Sequence, residues 1–413
     1  MAGFTQDYFI PFLLLLGGTA QHVGILSSAP NLIAALIQIK SADLTERVGS
    51  RKTIINTFVF LQAMMLLPMA WMALKGGVPP VSFIILVTLF TGCGNFILPA
   101  WGSLMSDLVV ESKRGEYFGW RNKALGLIMV VMAFIAGFIL HRMEKINIFQ
   151  GFAIIFISAA VFRLISLYFL TKMHEPKLEH QKEDYFSLFM FLRRTKESNF
   201  AKFVLFVALL NFCVNIASPY FAVFMLRDLH FSYLLYSLIS VMATLTVYLL
   251  ISRWGRHADK VGNLKVMRMT APIIAILPLL WVINRHPIFL LLTQVVSGFA
   301  WAGFNLCASN FIYDAASPKK RTRCISYFNA LNGIGLCLGA LCGGFLLDKL
   351  PTTLGYKILT LFIISSTLRI FIALLMPFRL KEVRPVAHAS DDEVFLSMVG
   401  LRPLQGLRVS KEF

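Results

Sequence analysis

The sequence predicts an all-α integral membrane protein of twelve transmembrane helices, arranged as two pseudo-symmetric six-helix halves. Three observations carry this. Hydrophobic residues make up 57% of the 413 positions and charged residues only 15%, with a mean hydropathy of +0.71, whereas a soluble domain carries about a quarter charged residues. Apolar runs of about 20 residues, the length of a helix that crosses the hydrocarbon core, recur twelve times. The chain is also written twice: ADLTERVGSRK at 42–52 returns as GRHADKVGNLK at 255–265, with Glu46 matching Asp259 and Gly49 matching Gly262 at an offset of 213. Asp107, Arg114 and Asn122 return as Asp314, Arg321 and Asn329, each 207 later, and Arg163 returns as Arg369, 206 later. Two homologous halves of this size direct attention to what sits between them.

The spans fall at 3–17, 21–39, 53–74, 80–105, 124–141 and 148–171 in the first half, and at 202–225, 231–252, 266–284, 287–312, 325–347 and 354–376 in the second. They are called spans 1 to 12 below. Strict alternation at period two is absent, so helices rather than a β-barrel satisfy the backbone. Tyr8 and Phe9 match Tyr220 and Phe221 at an offset of 212, which places the expected start of span 1 about ten residues before Met1. A helix of 15 residues reaches only about 23 Å of a core near 30 Å, so the first helix reads as truncated by a start assigned too late, the alternative being a half-span. The chain divides into a first half at 1–171, a linker at 172–201, a second half at 202–376 and a tail at 377–413. The segment YFSLFMFLRR at 185–194 suits a helix lying in the membrane interface. Phe186, Leu192 and Arg193 match Phe395, Leu401 and Arg402 at an offset of 209, so the tail carries a second such segment at 394–402.

Lysine and arginine set the orientation. With Lys202 and Arg268 counted in the adjoining loops, the loops after even-numbered spans and the tail hold 30 of the 39, and the opposite loops hold seven. This asymmetry places both termini in the cytoplasm, in a prokaryotic inner membrane. It also accounts for the net charge of +18 through anionic lipid headgroups, without a nucleic-acid partner. Cys93, Cys213, Cys307, Cys324, Cys337 and Cys342 lie in or beside apolar runs without metal-type pairing and read as small core residues. No metal, cofactor or enzymatic constellation is expected, and a monomer is.

Twelve spans in two halves, a basic central loop and a duplicated acidic-and-glycine hinge after spans 2 and 8 resemble the major facilitator superfamily over essentially the whole chain. The second hinge keeps the family's Gly255, Asp259, Lys260 and Gly262, while the first keeps Leu44, Arg47 and Gly49 with Ala42 and Glu46 substituted. Ser50 and Asn263 stand where the family has an arginine, with Arg51, Lys52 and Lys265 nearby. The resemblance implies a conformational latch closing the cytoplasmic side, made of Glu46, Gly49, Arg51, Asp259, Gly262 and Lys265, with Asp107 and Asp314 as its acidic partners. A tight reversal of two helices, with glycine where the backbone must be permissive and an acid near a helix N-terminus, accounts for the same residues.

Transport requires polar groups within the membrane. Asp7 is the only carboxylate deep in a span, and Arg163 and Arg369 are the only cations. Among the amides in spans, Gln6, Asn31, Asn95, Asn211, Asn215, Gln294 and Asn305 are singled out. The substrate and proton pathway is expected to use Asp7, Gln6, Asn95, Asn211, Asn215 and Asn305, since spans 1, 4, 7 and 10 wall the cavity in the family. Arg163 and Arg369 occupy the last span of each half and are expected to staple it. TGCGNFILPAW at 91–101 lacks the arginine of the family's proton-linked antiporters, and span 5 has Gly126 and Gly137 without the drug-antiporter glycine-proline pair. Gly335, Gly339, Gly343 and Gly344 give span 11 the small surface that close packing needs. No nucleotide-binding loop is present, so a gradient or the substrate itself drives the cycle. The reading is a secondary transporter of a small organic solute by alternating access, with proton-linked efflux resting on Asp7. An uptake symporter or uniporter for a sugar, peptide or organic anion is the alternative, and a non-transporting scaffold or lipid sensor is a third.

Overall fold

The computed structural model describes residues 1–109, 114–176, 198–315, 321–384, 386 and 391–399. Ten helices among them are long and apolar enough to cross a membrane. In order they are Arg51–Lys75, Pro80–Leu108, Arg114–Met143, Ile148–Thr171, Asn199–Ala217 with its continuation to Asp228, Tyr233–Val261, Asn263–Ile283, Pro287–Ala315, Arg321–Leu347 and Lys357–Leu375. The continuous helix Ala20–Val48 forms span 2, and shorter pieces form span 1, which completes the expected twelve. Trp71, Ile85, Phe169 and Phe371 are more than half exposed, the arrangement expected where the surrounding solvent is lipid.

The hinges are abrupt. Span 2 runs on to Val48, Gly49 takes φ +67° and Ser50 caps span 3 by accepting from the Thr53 amide at 3.1 Å. Span 8 ends at Val261, Gly262 takes φ +91° and span 9 begins at Asn263. Both glycines occupy backbone space that side-chain-bearing residues rarely adopt.

Span 1 is broken. A turn of α-helix at Ala2–Thr5 tightens into a 3-10 turn at Gln6–Tyr8 before helix resumes at Phe9–Leu15. Span 7 breaks at the matching place: Asn199–Ala217 ends before Pro219, whose missing N–H cannot continue the ladder, and the chain re-enters helix at Tyr220.

The helices form two compact units that cut across the repeat. Unit 1 holds 1–182 together with 215–241 and 333–361, and unit 2 holds 183–214, 242–332 and 362–413. In unit 1, spans 3, 4 and 6 pack most extensively, and Phe12 anchors an aromatic cluster with Phe83, Phe152 and Phe156 at ring separations of 4.8, 4.9 and 5.3 Å. The core of unit 2 gathers Phe203, Phe206, Trp254, Phe304 and Phe311, all buried, around the packed spans 9 and 10. Its tail helix, Asp391–Val399, buries Val394 and Met398 in that core, and Ser397 lies 2.9 Å from His257. The interfacial segment expected at 185–194 lies outside the described residues, as do Leu401 and Arg402. Five cysteines are buried, but Cys342 is exposed rather than in the core.

Close packing sets a limit on side-chain volume in span 11. A methyl group at Gly343 would sit 2.2 Å from the Ile216 carbonyl oxygen, a backbone atom that cannot rotate away, while one at Gly119 in span 5 meets nothing within 4 Å. Gly343→Ala is expected to destabilise by about 1–3 kcal/mol through overpacking. Gly119→Ala is expected to stabilise by up to about 1 kcal/mol through helix propensity. Thermal unfolding of the purified variants in detergent checks the opposite signs.

Candidate functional site

Four constellations are built from the residues singled out by sequence. The first surrounds the hinges. In unit 1, the Arg51 guanidinium is 2% exposed and donates to Asp107 at 2.5 Å, to Ser103 at 3.0 Å and to the Pro176 carbonyl at 2.9 Å. Glu175, just after span 6, accepts from the Arg51 and Lys52 amides at 2.6 and 3.1 Å and from the Ser50 hydroxyl at 2.8 Å. It therefore caps the N-terminus of span 3. In unit 2, Glu382 accepts from the Leu264 amide at 2.7 Å and caps span 9, while Asp314 accepts from Asn263 at 2.8 Å and from Arg384 at 2.5 Å. Asp259 lies 3.7 Å from Arg384, and Lys265 is half-buried in the first turn of span 9. Asp107 and Asp314 are thus held by cations of their own units. The side chain of Glu46 lies outside the described residues.

Glu175 and Glu382 were not singled out by sequence reasoning. The signal was present: they stand 207 residues apart, the offset that relates Asp107 to Asp314. Burial pushes the Glu175 carboxyl upward, but hydrogen bonds from Ser50, Lys52 and Arg51, with the Arg51 charge, outweigh it and hold the group below its usual range.

The second constellation is the pair of intramembrane arginines. Arg369 in span 12 is 3% exposed and donates to Ser365 at 3.0 Å, to the Val214 carbonyl at 3.0 Å and to the Ile274 carbonyl at 3.3 Å. Ile274 lies four residues before Pro278 inside span 9, so its carbonyl has no helical N–H to accept from, and the guanidinium fills the vacancy. Arg163 in span 6 donates to the Gln62 side chain, and Gln62 donates to the Phe90 carbonyl at 2.9 Å, linking spans 6, 3 and 4.

The third constellation grows from the breaks in spans 1 and 7. Tyr8, fully buried, donates to the Ala133 carbonyl of span 5 and lies 2.7 Å from the Ser237 hydroxyl of span 8. Tyr220, also fully buried, donates to the Ala340 carbonyl of span 11 at 3.1 Å and approaches the Ala20 carbonyl of span 2 at 3.4 Å. The correspondence is residue for residue: Tyr8 and Tyr220 are 212 apart, Ala133 and Ala340 are 207 apart, and so are Gly137 and Gly344, which make room for the two hydroxyls. Each tyrosine joins its own half to a span of the other half within unit 1.

Asp7 precedes this first tyrosine and has no duplicate, since Pro219 stands at the matching position. Its carbonyl accepts from the Tyr236 hydroxyl at 2.6 Å, and among the described residues no side chain bonds to its carboxylate. Gln6 is exposed beside it in the same 3-10 turn.

The fourth constellation is a cavity of about 240 Å³ within unit 2, lined by Asn211 of span 7, Asn305 and Ser309 of span 10, and Asn329 and Asn332 of span 11. Phe304, Tyr313 and Phe328 supply its aromatic wall. Asn211 donates to Asn332 at 2.8 Å, whereas Asn305, Ser309 and Asn329 have no side-chain hydrogen bond among the described residues. The structure therefore brings two of the four expected cavity amides together. Asn215 instead donates to the Leu336 carbonyl at 2.6 Å, and Asn95 to the Thr91 carbonyl of its own helix at 2.9 Å. Among the described residues no cluster of His, Cys, Asp and Glu has the makings of a metal site.

This architecture is that of a membrane transporter, and the profile of the Major Facilitator Superfamily matches residues 1–253 and 203–410. The chain belongs to that family. Its fold is similar to that of a mutant of the nucleoside transporter NupG, at a TM-score of 0.72 and 16% identity, covering 92% of this chain and 96% of that one. It is also similar to a POT family transporter in complex with 5-aminolevulinic acid, at 0.65 and 12% over 91% and 92% of the two chains. A bacterial homolog of the human lysosomal transporter Spinster, inward-facing and unoccupied, gives 0.60 and 15% over 92% of each chain. No curated protein matches the sequence.

The Glu175 cap makes an acid-side prediction. A carboxyl whose pKa is lowered by folding stabilises fully above the unfolded value of about 4.3, and that stabilisation drains away as pH falls through the lowered value. Glu175→Gln is expected to lose about 1–2 kcal/mol near neutral pH, the scale of a hydrogen bond to a charged group. It should also show a shallower loss of stability than the wild type below about pH 4.3. Melting curves across pH 3–7 check both.

Proposed function

We propose that the chain is a secondary transporter that moves a small organic solute by alternating access, coupled to protons through Asp7 and working in the direction of export. The duplicated tyrosine contact is the observation that supports it most. Two buried hydroxyls, at equivalent places in the two halves, close the ends of spans 1, 2, 5, 7, 8 and 11 on the side of the sparsely charged loops. A hydrogen bond contributes about 0.5–1.5 kcal/mol net, so the seal holds a resting state and yields to substrate or proton without unfolding a helix. Gly137 lies beside the Tyr8 hydroxyl and Gly24 and Gly344 beside that of Tyr220, so the helices meet closely there.

Asp7 supports the coupling. It is the unduplicated acid beside a duplicated contact, in a turn where span 1 has left regular helix, and discontinuous helices are where transporters hold ions. Protonation of this carboxyl removes a charge one residue from Tyr8 and so acts on the seal directly. In this reading the basic loops and both termini face the cytoplasm of a prokaryotic cell, and the hinge residues Glu46, Gly49, Arg51, Asp107, Asp259, Gly262, Lys265 and Asp314 form the latch of the opposite side.

Two measurements test the proposal. Tyr8→Phe together with Tyr220→Phe is expected to shift the equilibrium toward the outward-open state by about 1–3 kcal/mol. The rate at which a membrane-impermeant thiol reagent reaches Cys337 from outside should then rise at least fivefold, in a variant that keeps only that cysteine; an unchanged rate removes the seal. Asp7→Asn is expected to abolish pH-gradient-driven accumulation in inside-out vesicles while substrate exchange across the membrane persists. Gradient-driven transport by that variant at the wild-type rate removes Asp7 from the coupling, and accumulation only in right-side-out vesicles reverses the direction.

A further inference from the structure

What is written twice in this chain belongs to the frame: hinge acids, caps, arginines and tyrosines all recur. The cavity of unit 2 is different. At the offset of 207 that relates spans 4 and 5 to spans 10 and 11, Asn305, Ser309 and Asn332 correspond to Leu98, Gly102 and Leu125, and of this set only Asn329 has a polar counterpart, Asn122. Asn305, Ser309 and Asn332 are therefore not required to build a half, since the first half carries leucine or glycine in their places.

We propose that this cavity binds an uncharged solute with a planar, hydrogen-bonding ring of the nucleobase or nucleoside kind. The inference rests on the transporter reading for its biological sense, but the site is argued from its own chemistry. Among the described residues no charged side chain lines it, so an anion or cation entering a membrane-embedded cleft would find no counter-charge from them. A neutral polar solute meets the opposite situation. Each asparagine offers a donor and an acceptor side by side, which matches a ring edge that presents the complementary pair, as asparagine does with adenine. Three of the polar side chains, Asn305, Ser309 and Asn329, have no protein partner among the described residues, and Asn305 and Ser309 are exposed to the cavity. A polar group placed within a span without a partner is unfavourable unless water or a ligand satisfies it.

The aromatic wall supplies the other half of such recognition. Phe304, Phe328 and Tyr313 line the cavity, and Tyr313 is 51% exposed. A flat ring stacks on such faces whatever its substituents, while the amides select its edge. At about 240 Å³ the space is below the range of drug-sized pockets, which begins near 300 Å³, and suits a solute of one or two rings.

Calorimetric titration of the purified full-length protein with uracil, uridine, glucose and uridine monophosphate tests the class. Uracil or uridine is expected to bind, with the monophosphate at least tenfold weaker and glucose undetectable. Asn305→Ala is expected to weaken binding about tenfold or more, and Asn305→Asp to weaken it further by adding a charge. Asn95→Ala, whose amide is already bonded to its own helix, should leave affinity unchanged. Binding of glucose in preference to either ring compound, equal affinity for the monophosphate, insensitivity to Asn305, or no binding by any of the four overturns the assignment. Binding as expected without flux in proteoliposomes would overturn the transporter reading and leave the site in place.

Discussion

A chain that crosses a membrane twelve times has no water within the hydrocarbon core to repair a broken helix, so every backbone group freed there must be satisfied by the protein itself. Much of this structure is an answer to that constraint. Pro278 deprives the Ile274 carbonyl of its helical partner, and Arg369 supplies a donor from a neighbouring span. At the surface ends, where spans 3 and 9 begin immediately after a glycine reversal, Glu175 and Glu382 supply acceptors to amides at those N-termini. Arg369, Glu175 and Glu382 are thereby accounted for as repairs to the backbone before any role in transport is considered.

The same constraint makes interruptions of spans 1 and 7 informative. Transporters tolerate broken helices where the break lines a working surface. Here the two breaks sit at equivalent positions and each is followed by a tyrosine whose hydroxyl reaches a carbonyl of the sequence-equivalent alanine, Ala133 or Ala340. A two-fold arrangement of weak, buried contacts suits a joint that opens, since each bond contributes little and is reversible.

Symmetry also separates frame from function. Repeated features carry the architecture, and the features without a counterpart break the equivalence that a directional carrier must break. Asp7 faces Pro219 in the repeat, Asn305 and Asn332 face leucine, and Ser309 faces glycine. These unduplicated polar groups lie in different places: Asp7 in unit 1 beside the tyrosine contact, and the amide cavity in unit 2. A carrier that couples two ligands needs such a division, with one group able to take up a proton and another surface able to hold a solute.

The sequence alone determined the solvent, the twelve spans, the family and the repeat, because those follow from apolar run lengths and from residues matched at a constant offset. It also carried the hinge glycines and the paired arginines, since a charge inside an apolar run is conspicuous. The fate of the asparagines was beyond it. Asn211 and Asn305 meet in one cavity while Asn215 and Asn95 spend their amides on backbone carbonyls, and nothing in their local sequence distinguishes the two outcomes. An amide in a helix has the same composition and spacing whether it faces a neighbour or a cleft, and helix rotation decides which. Asn332 escaped notice for the same reason, and Asn329 entered only as the repeat match of Asn122, both lying near the polar end of a span where an amide excites no attention. Likewise Tyr8 and Tyr220 read as ordinary aromatic residues until the breaks preceding them turned both hydroxyls toward carbonyls on other helices. That decision belongs to tertiary structure, because a hydrogen bond between spans depends on the rotation and depth of two helices at once, and one-dimensional periodicity specifies neither.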